Sequence, residues 1–567
     1  MKTIILLLLI FFVLTFDIFP QTPVYYNNFP IELDVSRSPF LKVSVPLITD
    51  LDKDGQKEII TSGTDYAGVL NPPVMLYVVK SDASFYPNFP KGFNELIFDI
   101  ASGDIDGNGF LDIALRMMNS IDVIDKLGNH LDGFPLSYYD GTSNPFKFIS
   151  LYDLDNDGKL EIIVSKTGEV SVFNFDGTIR SGWPIQIPGT SKYNPAIGDI
   201  DNDGFAEMIF TSFRESGDSG MVNIFKHNGE VFSNVWPKYF DINYFSWSSS
   251  PSLYIDNNNS DSTFFTIVID ENGGSDYENH RFVKYNIYGK VLAEKNYGSY
   301  MDYGTLVMGD LDRNGINDFV TGTQFGITLS GFDNVLNRIS GWPNFGVGEH
   351  YATAVIGKVA TGNDLNIIIN RWSADDGFGY IYGYSKDGNY LPWAPLRPVG
   401  LVKAISAADL NNDGSVELIA TSTRTGYEFY LHAWTVPGIS YKNEDFPWPQ
   451  YGHDRYRTNQ YGFIPPDEPV GILPTSTIVP EKFSLNQNFP NPFNPATTIK
   501  FDIRTSAFTK LNVFDALGRE IETLVNEKLS PGSYSLVFDG SKFTSGVYFY
   551  RLTSENFTET KRMLMIR

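Results

Sequence analysis

Cysteine is absent from this chain of 567 residues, which removes disulfides, thiolate metal sites and cysteine nucleophiles together. The absence does not exclude export, because a large repeat protein buries enough core without covalent staples. Histidine is scarce, and its six copies (130, 227, 280, 350, 432, 453) show no His-Glu-x-x-His spacing. Each reads as a surface or packing residue. Basic side chains are outnumbered 43 to 67 by acids, leaving a formal charge of −24 that argues against nucleic-acid binding through phosphates. No sustained helical period is present, and no apolar run is long enough to span a membrane.

The one marked apolar run is N-terminal. Lys2 precedes Ile4 to Phe16, and Asp17 ends the run, a pattern that predicts a signal peptide over residues 1–21. What is abundant is aromatic and small: 44 Phe, 32 Tyr and 50 Gly. That mixture favours strands joined by tight turns.

Self-similarity organises the rest. A frame of acids at positions 1, 3, 5 and 9, with Gly at position 6, recurs six times. The first copy places Asp50, Asp52, Asp54 and Glu58 at the four positions; the second places Asp104, Asp106, Asn108 and Asp112. The third carries Asp153, Asp155, Asp157 and Glu161, and the fourth Asp199, Asp201, Asp203 and Glu207. The fifth carries Asp310, Asp312, Asn314 and Asp318, and the sixth Asp409, Asn411, Asp413 and Glu417. Degenerate copies, placed at Tyr254–Ser262 and Lys358–Asn366, fill the gaps, so the period is about 50 residues, in the range of propeller blades. Hairpin turns and aromatic–proline pairs recur as well, at Phe134-Pro135, Trp183-Pro184, Trp236-Pro237, Trp342-Pro343 and Trp448-Pro449. Each unit then supplies about four short strands, which bury both faces only when stacked radially. The expectation is an all-β chain with a seven- or eight-bladed β-propeller over residues 24–462. Eight is favoured, and Asn28-Phe29-Pro30 lends the last blade its closing strand.

Alternating acids converge only where the chain curls, and Gly at position 6 permits the curl. Hard oxygens in that number suit Ca²⁺, which takes six to eight of them. The 24 residues named above are therefore candidate ligands of about six structural calcium sites. The degenerate copies lose ligands at Lys358, Ala360, Tyr254 and Ser262 and should bind none. An EF-hand is disfavoured, because position 9 is acidic and β-branched residues follow at once. The loops resemble the calcium loops of FG-GAP/VCBS repeats, found in integrin α-subunit propellers and bacterial surface proteins. That resemblance implies metals that stiffen blades and ligands met elsewhere on the propeller. The segment Trp448-Pro-Gln-Tyr-Gly-His-Asp454 resembles the closing element of such repeat domains.

Prolines at 465, 466, 469, 474 and 480 predict an extended linker over 463–480. Strand patterns at 498–503, 509–514, 533–538 and 546–552 then predict a small antiparallel β-sandwich over 481–567. Its Asn488-Phe-Pro-Asn-Pro-Phe-Asn-Pro495, Gly546-Val-Tyr-Phe-Tyr550 and Lys561-Arg562 resemble the C-terminal sorting domain of type IX secretion substrates. The resemblance implies the type IX machinery as a partner through residues 481–567, and a secreted or cell-surface location.

Catalysis is not expected. Gly217-Asp218-Ser219-Gly220 matches a serine-nucleophile string, but no general base accompanies it. The expected function is binding or adhesion toward an extracellular protein or carbohydrate. The alternatives are a propeller-based polysaccharide lyase or hydrolase, whose paired carboxylates a sequence cannot match up, and a structural surface-layer component.

Overall fold

A computed structural model describes residues 22–33, 41–65, 74–139, 147–191, 193–213, 219–241, 249–256, 262–270, 280–297, 306–322, 328–342, 344–345, 354–372, 379–424, 428–466, 473–476, 480, 482–493, 496–505, 507–529, 532–540, 543–554 and 557–566. The signal-peptide stretch 1–21, His350, Gly217 and Asp218 lie outside the described residues. The chain divides into two compact units, Met1–Asp467 and Glu468–Arg567.

The first unit is a β-propeller. Among its described residues are eight antiparallel sheets, numbered here in chain order by their innermost strands: Leu47–Thr49, Ile97–Gly103, Ile149–Tyr152, Ala196–Gly198, Ser252–Tyr254, Leu306–Gly309, Val355–Gly357 and Leu401–Ala408. The eighth innermost strand touches the first, so the sheets follow one another in a ring. The inner strands are buried, as Ile100, Ile113 and Val123 of sheet 2 illustrate, because neighbouring sheets cover what one sheet leaves exposed, whereas an outermost strand such as Val291–Tyr297 stays largely exposed. The N-terminus completes the eighth sheet: Val24–Tyr25 and Ile31–Leu33 pair with Glu428–Ser440. This is the closing role that Asn28-Phe29-Pro30 suggested.

The aromatic–proline pairs lock neighbours together. Trp183 of sheet 3 donates its indole N–H to His227 O of sheet 4 at 3.1 Å. Trp236 does the same to Ile287 O at 2.8 Å, and Trp342 to Lys386 O at 2.7 Å. Trp448-Pro449 is not an equivalent of these pairs. It belongs to a strap, residues 445–463, that meets the sheets in turn. Strap carbonyls of Asp445, Trp448 and Pro449 accept N–H bonds from Lys358, Ile356 and Ala407. The Gln450 side chain takes the N–H of Ile48. Arg455, Tyr456, Thr458 and Asn459 then accept from Ser102, Leu151, Ile197 and Leu253. Sheet 6 is reached by a pairing of Arg313 with Asp445. The strap needs room, and small residues give it: a Cβ on Gly357 would fall 2.1 Å from the Phe446 ring, and one on Gly103 2.7 Å from Tyr456.

The second unit is a two-sheet sandwich around Leu485, Phe493, Ile499, Leu511, Phe538, Tyr550 and Met565. Strands at Glu520–Leu529 and Phe557–Met565 join those expected. Leu473–Ser476, inside the stretch read as linker, pairs with Gly532–Asp539, and Phe463 still stacks on Tyr152 of the propeller. The Asn-Phe-Pro-Asn-Pro run is a staple. Asn488 bonds Thr497 Oγ1 at 2.9 Å, its backbone N–H donates to the Tyr550 hydroxyl at 2.7 Å, and that hydroxyl donates to Asn486 O at 2.8 Å. Asn491 Oδ1 accepts the N–H of Leu564 at 2.9 Å. Tyr550→Phe strands these buried partners and should cost this unit about 1–3 kcal/mol, read as a lower denaturant midpoint at unchanged slope.

Candidate metal loops

Each intact Asp loop leaves the innermost strand of its sheet and opens into the next strand. The curl is built from two left-handed residues, position 4 (Lys53 φ 60, Asn202 φ 59) and position 6 (Gly55 φ 89, Gly204 φ 92). Asn tolerates the first of these and Gly takes the second without a Cβ penalty. The position-1 carboxylate then caps the curl. Asp50 accepts the N–H groups of Asp54 and Gly55, both at 2.9 Å; Asp199 accepts those of Asp203 and Gly204 at 3.0 and 2.9 Å. Asp153, Asp310 and Asp409 do likewise, while Asp104 takes Gly109.

Position 9 returns from the next strand and accepts the N–H of position 2. Glu58 takes Leu51 at 2.9 Å, Asp112 Ile105 at 3.1 Å, Glu161 Leu154 at 2.8 Å, Glu207 Ile200 at 3.2 Å, Asp318 Leu311 at 3.1 Å and Glu417 Leu410 at 3.0 Å. These six carboxylates are buried. Desolvation first, and then the acids beside them, push Glu58, Asp112 and Glu207 up to about 8, and Asp318 up to about 7. Glu161 and Glu417 also rise to about 7 through burial.

Carboxylate oxygens converge within 4.8 Å of one another in five loops: Asp50/Asp52/Glu58, Asp104/Asp106/Asp112, Asp153/Asp155/Glu161, Asp199/Asp201/Asp203 and Asp310/Asp312/Asp318. The sixth loop has Asn411 at position 3, whose amide donates to Asp413 at 2.9 Å. Asp54, Asp157 and Asp413 at position 5 accept the N–H of position 7, as do Asn108 and Asn314. Asp52 Oδ1, Asp155 Oδ1 and Glu207 Oε1 are buried with no hydrogen-bond donor. A buried oxygen without a donor is costly, and oxygens grouped this way fit a hard divalent cation.

The degenerate loops keep the scaffold bond with neutral groups. Val359 N–H donates to Asn366 Oδ1 at 3.0 Å in sheet 7. In sheet 5 Asp256 N–H donates to Thr263 Oγ1 at 3.1 Å. Positions 1 and 9 there are thus Ile255 and Thr263, one residue beyond the register Tyr254–Ser262. Neither offers a carboxylate, so in both registers positions 1 and 9 lack an acidic ligand.

The histidines whose side chains are described make contacts outside the loops' carboxylate clusters. His432 Nε2 lies 2.8 Å from Ser422 Oγ, but both are fully buried and the hydroxyl donates to Val399 O. Burial pushes His432 down to about 3. His130 pairs with Asp122 at 2.9 Å, His227 stacks on Phe205, and His453 bonds Asp454 within the strap. Ser219 opens the strand Ser219–Lys226.

A family description of FG-GAP-like repeats matches residues 153–210, the third loop through the strand after the fourth. A second, the secretion system C-terminal sorting domain, matches residues 487–566. The chain joins an FG-GAP-like repeat to a type IX sorting domain. Such a tail implies export to the cell surface or secretion, and no described helix is long and apolar enough to cross a membrane. No curated protein matches the chain. Among solved structures it is similar to the V. cholerae biofilm matrix protein Bap1 (11% identity, 76% of this chain and 94% of that one, TM-score 0.42). It is also similar to the exotype rhamnogalacturonan lyase YesX (13% identity, 77% and 84%, TM-score 0.44).

Proposed function

We propose that this FG-GAP protein is an exported, calcium-stiffened propeller that binds an extracellular protein or carbohydrate and does not catalyse. The observation that carries the reading is the recurrence of one acidic loop, with the same hydrogen bonds, in six sheets around the ring. A catalytic centre needs unlike groups brought to one place; a site repeated around a ring stiffens each blade in the same way. Asp, Asn and Glu side chains of the intact loops would hold Ca²⁺, which supplies charge compensation for buried carboxylates and no chemistry.

Two expected outcomes test this. Glu207→Gln keeps the shape and the bond to Ile200 but removes one charge. It should remove calcium from the fourth loop, and in chelator it should leave stability unchanged or raised, because like-charge crowding is relieved. Loss of stability with and without calcium alike counts against a metal role. For function, the purified propeller is mixed with polysaccharides and surface proteins; retention without release of new chain ends is expected. Newly formed reducing or unsaturated ends that track the protein through purification favour the lyase or hydrolase reading.

A further inference from the structure

The six intact loops are alike in sequence but differ in what covers them. In six sheets the returning hairpin places one residue at an equivalent position. Its backbone N–H bonds the preceding strand in the same way throughout: Tyr86 to Val78 O, Leu131 to Val123 O, Arg180 to Val172 O, Phe232 to Ile224 O, Ile339 to Gly331 O and Leu391 to Gly383 O. Tyr26 of the N-terminal strand takes this place in the eighth sheet through Ala433 O. Among these seven residues, one alone is a cation.

That cation reaches into the third loop. Arg180 Nη2 lies 2.8 Å from Asp155 Oδ2, and Nη1 lies 2.9 Å from Glu161 Oε1. The other Glu161 oxygen already accepts the N–H of Leu154, and both Asp153 oxygens accept N–H groups of Asp157 and Gly158. In the fourth loop the counterpart oxygen, Glu207 Oε1, is buried and has no donor, because Phe232 stands where Arg180 stands in the third. At the first loop Tyr86 donates one neutral hydrogen bond to Asp52 Oδ2 at 3.0 Å and adds no charge. The guanidinium therefore pairs with both Asp155 and Glu161 of the third loop, while Asp155 Oδ1 keeps no donor.

We propose that Arg180 is the resident cation of the third loop, so that this loop holds no calcium under conditions that load the other intact loops. The proposal rests on the calcium reading above and lowers its count by one. A planar fork matches two carboxylates at once, and a fixed positive charge among the ligands repels a divalent ion over the same few ångströms. The third loop would then keep its shape in chelator while its neighbours loosen.

The test counts bound Ca²⁺ on the full chain by equilibrium dialysis, for wild type, Arg180→Leu and Arg180→Tyr. Leu copies sheet 2 and Tyr copies sheet 1, so at least one replacement has a precedent for packing on this fold. Either folded variant should bind one more calcium than wild type, and its melting temperature should respond more strongly to chelator. Equal, non-zero counts in all three proteins overturn the role of Arg180 while leaving the calcium reading intact. No binding by any of them overturns the calcium reading, and this proposal with it.

Discussion

Stripping calcium from the purified protein lowers its melting temperature by on the order of 10 °C or more. The expectation follows from mass action: a site filled at 100-fold excess over its Kd contributes about 2.7 kcal/mol, and several sites act on one cooperative ring. The pH dependence has a definite sign. In the metal-free protein Glu58, Asp112 and Glu207 are held up to about 8 by burial and by neighbouring acids, against about 4 when unfolded. A raised carboxylate contributes stability that is fully present below its unfolded value and lost as pH rises through its folded value. Metal-free stability should therefore fall between about pH 4 and pH 8. Calcium binds the deprotonated groups, so the gap between loaded and stripped melting temperatures should widen over that range. Scanning calorimetry with calcium or EGTA at pH 6 and pH 8.5 reads it, and a gap that narrows at the higher pH contradicts the account.

The strap carries the second large effect. A chain ending at residue 442 should not form a stable propeller, whereas one ending at residue 466 should melt as the propeller of the full protein does. The short chain loses backbone bonds to seven sheets and the buried Phe446, Trp448 and Tyr456. It also loses Arg457, whose Nε donates to Ile100 O at 3.0 Å beside Asp99. Trp448→Ala alone should cost about 3–5 kcal/mol, so loss of the whole segment exceeds the 5–15 kcal/mol that usually separates folded from unfolded. Limited proteolysis and circular dichroism on the two truncations decide it. A folded 442-residue chain would show that the ring closes without its strap.

What was legible in the sequence was what repeats. Asp50 to Glu58 and its five successors announced both the sheets and the loops, because position 1, position 6 and position 9 each have a local job. Even a degenerate copy kept its place, although its register slipped by one. Asp256 looked like the third position, whereas the bond that defines the frame runs from its N–H to Thr263. What was not legible depends on distance along the chain. Arg455 and Arg457 are buried and donate to Ser102 O and Ile100 O, on a strand more than 300 residues away, which no local pattern announces. Trp448-Pro449 looked like one more hairpin end for the same reason. The small residues just before the loops, Gly103, Gly198, Gly309 and Gly357, were the available signal, since they leave space that only another segment fills. In the second unit, Phe557–Met565 alternates in exposure, and Glu559 and Lys561 share the less exposed face with Met563 and Met565, whereas Arg562 lies on the exposed one. Charges on the half-buried face itself hid a strand that ends with Met563 and Met565 in the core.

The central claim is that the Asp loops are metal-bearing scaffold. Its most direct measurement is an anomalous-scattering map from crystals of the protein grown in calcium. The account predicts peaks enclosed by positions 1, 3, 5 and 9 of the intact loops, none at Ile255–Thr263 or Lys358–Asn366, and none at the third loop, where Arg180 sits. Loops that keep this geometry in calcium with no peak at any of them would contradict it.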